Sequence, residues 1–181
     1  VDPLEAIAKI AARHGLWLHV DAAWGGLLAL ARERAPALAG IAEADSIAFD
    51  PHKALRAPMG TGLLLTRRRG ALAATFGERA GYMPRGDGEP YAKGIAWSRR
   101  FVGLRVYLPL AAEGWAGHAD AARAELARAD ELRARLAREG WVVVNDTPLP
   151  VVCFRDAERA DARFLDAVAR EVIARGDGWI S

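Results

Sequence analysis

The sequence contains a single cysteine, Cys153. One thiol permits no internal disulfide and no cysteine-based metal cluster. Set in the apolar run 151–154, it is expected to be a small buried residue. Long apolar runs are lacking as well. The Ala-rich stretches are broken by Arg and Glu every few residues, so no segment matches a bilayer span. No signal peptide is visible, and the expectation is a cytoplasmic protein without a membrane partner. Net charge is nearly absent, with 25 Lys and Arg against 23 Asp and Glu. A balance of +2 is too small to argue for a nucleic-acid partner, and no recognition motif accompanies it. The one basic run, Arg67-Arg68-Arg69, follows an apolar strand-like segment and is expected to be a solvated turn. What is present is 52% hydrophobic and 27% charged, the balance of a globular chain. Its 181 residues suffice for one domain with a core, or for one domain plus part of another.

The pattern along the chain alternates. Leu4, Ile7 and Ile10 recur at helical spacing, with Asp2 as the expected N-cap, Pro3 at the first helical position and Glu5 closing a capping box. Gly15 fits the stop. Residues 16–20 read as a strand with Asp21 at its end, 27–34 as a helix running to Pro36, 46–49 as a strand ending in Asp50, and 62–66 as a third strand. Helix–strand alternation favours an α/β layer with a largely parallel sheet. Between 75 and 98, Gly77, Gly81, Pro84, Gly86, Gly88, Pro90 and Gly94 interrupt every period, and such a long irregular segment is usually functional or disordered. Helices are then expected over 101–112, 119–139 and 162–174, the second with Leu126, Leu132 and Leu136 on one stripe. Strands are expected over 141–144 and 151–154, and 179–181 has the character of a strand beginning. There is no internal repeat.

Two segments carry chemistry. His19-Val20-Asp21-Ala22-Ala23-Trp24-Gly25-Gly26 offers a carboxylate at a strand end, with two small residues beside it that leave room for a flat ring. Ser46-Ile47-Ala48-Phe49-Asp50-Pro51-His52-Lys53 offers an amine just after another strand. In open α/β sheets, ligands bind beyond the carboxyl ends of the strands. An amine that can form a Schiff base, and a carboxylate that can keep a pyridine nitrogen protonated, are the two groups that pyridoxal-phosphate chemistry requires. Taken singly, each residue has an ordinary alternative. Asp21 could be a strand-end turn residue and Lys53 a surface lysine. His19 reads as packed or stacking, His14 and His118 as surface residues, and Trp24, Trp97 and Trp115 as core or interface aromatics.

The pair resembles the group II pyridoxal-phosphate-dependent amino-acid decarboxylases, of the aromatic-L-amino-acid and glutamate decarboxylase type. Their marks are a strand ending in His-Val-Asp-Ala-Ala followed by an aromatic residue, and later an Asn-Pro-His-Lys tetrad. The first is intact here, and the second reads Asp50-Pro51-His52-Lys53. The resemblance implies the aspartate-aminotransferase-like fold. Residues 1–105 would belong to the large cofactor-binding domain, with a loop over about 75–98, and 106–181 to an α+β small C-terminal domain. It implies that Lys53 forms the Schiff base, that Asp21 faces the pyridinium nitrogen, that Ala23 packs on a ring face and that His52 lies beside the phosphate. At position 50 the family's Asn would contact the phosphate. A carboxylate there is repelled by a dianion unless protonated or turned away.

Gly81-Tyr82-Met83-Pro84 falls where the family has its mobile catalytic loop. A Tyr there returns a proton to Cα after CO2 leaves, whereas Phe accompanies aldehyde release. Tyr82 is therefore the second catalytic candidate. Ser98-Arg99-Arg100-Phe101 resembles the run that opens the helix leading to the small domain.

The implied activity is decarboxylation of a small-molecule L-amino acid to an amine and CO2. An aldehyde synthase, another Cα-bond-cleaving enzyme of the same fold and a catalytically inactive fragment are the alternatives. A homodimer is implied, and no metal. The resemblance covers the middle and later parts of the family only, so a fragment lacking the N-terminal part and the C-terminal end is expected.

Overall fold

The stripe Leu4, Ala8 and Ala11 is buried on one side of helix α1, Leu4–Arg13, in a computed structural model that describes residues 1–77, 82, 90–159 and 161–181. Pro3 itself takes the N-cap position, and no side chain caps the helix. Asp2 is one residue too far out for the expected capping box and contributes only its carbonyl, which accepts from the Leu4 amide at 2.8 Å. Glu5 instead pairs with Lys9 at 2.8 Å. At the other end Gly15, at φ 61°, turns the chain. The amides of Gly15 and Leu16 donate to the carbonyls of Ala12 and Ala11, two hydrogen bonds that tie off the last turn.

Because that turn occupies Gly15 and Leu16, strand β1 starts later than expected and spans His19–Asp21. Strand β2, Ser46–Phe49, runs parallel to it with Asp21 opposite Ala48. Strand β3, Leu63–Thr66, is antiparallel to β2. The sheet order is β1-β2-β3, so the expected parallel arrangement holds for one of its two pairings. A parallel return is usually carried by a crossover helix, whereas the connection over 50–62 holds only the single turn of α2, Pro51–Ala54, and the chain doubles back.

The β1–β2 connection does not form the α-helix expected over 27–34. It is built from 3-10 turns at Gly25–Ala29, Ala35–Leu38 and Ile41–Glu43. Gly25 and Gly26 weaken an α-helix at its start, and Pro36 removes a donor further on. Two of its glycines permit close approaches. A Cβ on Gly40, at φ 90°, would lie 2.5 Å from the Glu5 amide nitrogen, so this turn packs directly on α1. A Cβ on Gly26 would collide with the ring of Phe49, the last residue of β2.

The core beneath α1 joins Leu4, Val20, Ala22 and Ala44 with Leu18, Ile41 and Ile47. A second cluster joins Leu27, Ala54 and Ala122 with Leu30 and Phe49. Each fully buried large aliphatic side chain contributes about 1.5–3 kcal/mol.

The basic run is an exposed turn, as expected, and two of its arginines also reach a buried carboxylate. Arg68 Nε donates to Asp45 Oδ1 at 2.6 Å, and Arg67 lies 3.5 Å from the same oxygen and 3.4 Å from Glu43. Asp45 is buried, and its other oxygen accepts from the Leu18 amide at 2.9 Å. A buried carboxylate needs such partners, and the arginines that follow β3 are the cations within reach.

After α3, Ala71–Phe76, the next described turn is Pro90–Lys93, where Arg99 donates to the carbonyl of Pro90 at 2.6 Å and to that of Ala96 at 3.0 Å. The two helices expected next form α4, Gly103–Arg138, interrupted by non-helical backbone at Gly114. His118, expected on the surface, is fully buried. Its Nε2 donates to the Pro109 carbonyl at 3.2 Å, which draws the ring inward.

The chain divides into two compact units, Val1–Ala122 and Arg123–Ser181, the division falling inside α4. In the second, β4, Trp141–Val143, pairs antiparallel with β5, Phe154–Asp156, and the rings of Trp141 and Phe154 meet edge-on at 5.4 Å. Arg133 donates to the carbonyls of Thr147, Leu149 and Val151 and so gathers the connecting loop. Strand β5 begins later than the apolar run suggests because 151–153 belongs to that loop, where Asn145 holds Val151 and Cys153. Cys153 is consequently exposed, not buried as expected. Leu126 is buried while Leu132, on the same expected stripe, is exposed. Helix α5, Ala162–Arg175, is capped by Asp161 accepting from Phe164 and ends at Gly176, φ 73°. Residues 179–181 form no strand. Among the described residues no helix is long and apolar enough to cross a membrane.

Candidate active site

Strands β1 and β2 are parallel, so both end on the same side of the sheet. Asp21 is the last residue of β1, and Asp50 follows β2 two residues beyond Ala48, the partner of Asp21. Asp21 Oδ1 accepts from the Ala23 amide at 2.9 Å, a local turn that fixes the carboxylate at the strand end. Its other oxygen has no partner among the described residues. Ala22 is buried and its amide donates to the Ala48 carbonyl at 2.9 Å, which extends the pairing one step past Asp21.

Asp-Pro-His-Lys folds into one helical turn. Proline suits the first position of a helix because its ring presets φ and the donor it lacks has no partner there anyway. The turn places side chains three residues apart on one face. Asp50 Oδ2 thereby lies 2.8 Å from Lys53 Nζ, with both side chains about a quarter exposed. The hydrogen bond from Lys53 is the main cause that holds the Asp50 carboxyl below the usual carboxylate range. Partial burial opposes it, and the charges of Lys53 and His52 reinforce it. Asp50 is thus ionised and turned to the amine. His52 Nδ1 donates to the Thr61 carbonyl at 2.6 Å, which leaves Nε2 on the side of Asp50, 3.9 Å away. Thr61 is buried, its hydroxyl bound to the Pro58 carbonyl.

Asp21, Ala23, Asp50, His52 and Lys53 therefore gather at two adjacent strand ends. Tyr82 is largely exposed, and no contact links it to them among the described residues. Its neighbours Gly81, Met83 and Pro84 lie outside the described residues. Trp24, expected in a core or interface, is exposed and lies with its ring 5.8 Å from Lys53 Nζ. Its place three residues after Asp21, at the same strand end, was the signal for this. Thr61 gave none, because only the return of the chain into β3 brings its carbonyl to His52. His19 is exposed, its ring bonded to Ser46 Oγ at 2.8 Å.

A solvent-reachable amine, a carboxylate with one uncommitted oxygen and small flanking side chains suit a flat pyridine ring bearing an aldehyde, so the residues present fit pyridoxal phosphate. Among the described residues no cluster of three or more His, Cys, Asp and Glu could hold a metal ion.

The sequence profile of the pyridoxal-dependent decarboxylase conserved domain matches residues 1–157. Cysteine sulfinic acid decarboxylase of Rattus norvegicus is 38% identical over 165 residues, covering 84% of this chain and 33% of that protein. Aromatic-L-amino-acid decarboxylase of Bacillus atrophaeus is 32% identical over 196 residues, covering all of this chain and 40% of that protein. The crystal structure of Oryza sativa TDC with PLP and tryptamine superposes with a TM-score of 0.83 at 27% identity, over 100% of this chain and 40% of that one. The chain spans about a third of the length of the first of these relatives. On its motif pair, its strand-end geometry and a profile match that covers most of its length, the chain belongs to the pyridoxal-dependent decarboxylase family.

Proposed function

We propose that the protein carrying this chain removes the carboxyl group of an L-amino acid, releasing CO2 and the amine. The observation that supports this most is the parallel register of β1 and β2, which brings the carboxylate of Asp21 and the turn bearing Lys53 to neighbouring strand ends in a chain of this family.

Pyridoxal phosphate, when bound, supplies a protonated ring that takes up the electron pair left at Cα as the carboxylate departs. Lys53 would hold it covalently through its amine until a substrate amine takes that place. Asp21 keeps a negative charge beside the ring nitrogen and so retains the proton there. Ala23 gives one ring face a flat, small neighbour. His52, tied to Thr61, would lie beside the phosphate. Tyr82 or Lys53 would return a proton to Cα. Residues 1–105 act as part of the large domain and 106–181 as part of the small one. The family resemblance further supports a cytoplasmic homodimer. Substrates are amino acids, as the names of the relatives imply for those proteins.

The test is spectroscopic. The intact protein mixed with pyridoxal phosphate is expected to develop a visible absorbance band that is absent in Lys53→Ala. A band that persists in that variant would overturn the assignment. CO2 release without hydrogen peroxide separates decarboxylation from aldehyde formation.

A further inference from the structure

We propose that Asp50 and Trp24 form a resting cradle for Lys53, engaging its free side chain and slowing its covalent capture of an aldehyde. This rests on the cofactor-lysine reading of Lys53 given above. Two independent features of the site favour a cation at Nζ. The Asp50 carboxylate lies 2.8 Å from it, and the face of the Trp24 ring lies 5.8 Å from it. The ring attracts a cation through its quadrupole and has no such attraction for a neutral amine. Asp50 is itself kept ionised by its neighbours, so its charge persists through the neutral range. Asp50 caps the single turn α2 that carries Lys53, which puts the two side chains three residues apart on one face.

The consequence concerns the step in which Lys53 becomes bonded to the cofactor. An ammonium has no lone pair. Lys53 Nζ must leave Asp50 and give one proton to solvent before it can attack an aldehyde carbon. A C=N bond then forms, the carbonyl oxygen departs as one water, and no oxidation or reduction occurs. Whenever Lys53 is not bonded to an aldehyde, its side chain would rest against the same two partners. The cradle therefore keeps the lysine near the strand end while lowering its competition with the substrate. Asp50 and Trp24 are positioning residues in this account, acting through Lys53.

The experiment uses the intact protein stripped of cofactor, at fixed neutral pH. Acetic anhydride labels exposed amines, and mass spectrometry of the Lys53 peptide gives a rate that does not depend on catalysis. Asp50→Asn is nearly isosteric and removes the charge. It is expected to label about twofold to fivefold faster at Lys53, the range a part-exposed ion pair allows. Trp24→Leu should give a smaller increase, and Asp50→Glu should restore the slow rate. The rise of the absorbance band after adding pyridoxal phosphate should quicken in Asp50→Asn by a similar factor. Equal labelling rates in wild type and Asp50→Asn would overturn the proposal. If Asp50→Asn misfolds by circular dichroism, Asp50→Ser provides the same comparison. A wild-type protein that never develops the Lys53-dependent band defeats the cofactor reading instead, whatever the labelling shows.

Discussion

Strand β2 has an aspartate at each end, and the two are used differently. Asp45 precedes the strand and is buried. One of its oxygens accepts from the Leu18 amide and the other from Arg68, with Arg67 close by. These donors, the Leu18 amide first, hold its carboxyl below the usual range against the opposing effect of burial. Asp50 follows the strand, is about a quarter exposed, and depends chiefly on Lys53. The same residue type is a fixed structural node at one end and a partner to a displaceable amine at the other. The difference lies in solvent access and in the number of donors. A carboxylate satisfied from several elements cannot release any of them cheaply, whereas one held mainly by a flexible lysine can let it go.

The largest expected effect falls on the open end. Asp21→Asn keeps the turn at Ala23 but removes the charge, and turnover by the intact enzyme should fall on the order of a hundredfold or more, as when a charged group is removed from a reacting centre. Full activity in that variant, by CO2 release, would mean that the strand-end carboxylate does not serve the chemistry.

Next is the closed end. Gly40→Ala forces a side chain into a left-handed conformation against the backbone of α1, and should cost about 3 kcal/mol in urea unfolding. Strand-end labelling of Lys53 should be unchanged in the native protein.

Smallest is Asp45→Asn, expected to lower the thermal midpoint by several degrees at neutral pH. Because the folded carboxyl titrates below its unfolded value of about 3.9, its stabilisation is complete well above that pH. It is lost as pH falls through the folded value. Wild type and Asp45→Asn should therefore converge in stability on acidification, and a gap that stays constant down to strongly acidic pH would contradict the assigned role.

Much of the site was legible because its parts are local. The strand Ser46–Phe49 stands where the apolar run and the following Asp-Pro place it, and the Asp-Pro-His-Lys turn follows from proline's preference for a first helical position. Gly15 marks a helix end as expected because a left-handed residue is needed there. Other features were not legible. The Arg67-Arg68 run reads as an exposed turn and is one, but its pairing with Asp45, more than twenty residues earlier, shows only in the fold. Cys153 reads as buried until Asn145 draws its backbone into a loop. His118 reads as exposed until the fold closes over it at the Pro109 carbonyl.

The sequence by itself determined which chemical groups exist and where short-range rules put them: an amine one helical turn after a strand, a carboxylate at the end of another, and small residues beside it. Only the tertiary structure decided that β1 and β2 lie side by side in parallel, that β3 turns back, and that Lys53 rests between Asp50 and Trp24. Local propensities act over a few bonds. Strand pairing, burial and the choice of a charge's partner depend on what the rest of the chain brings near, and that is settled by the packing of the whole.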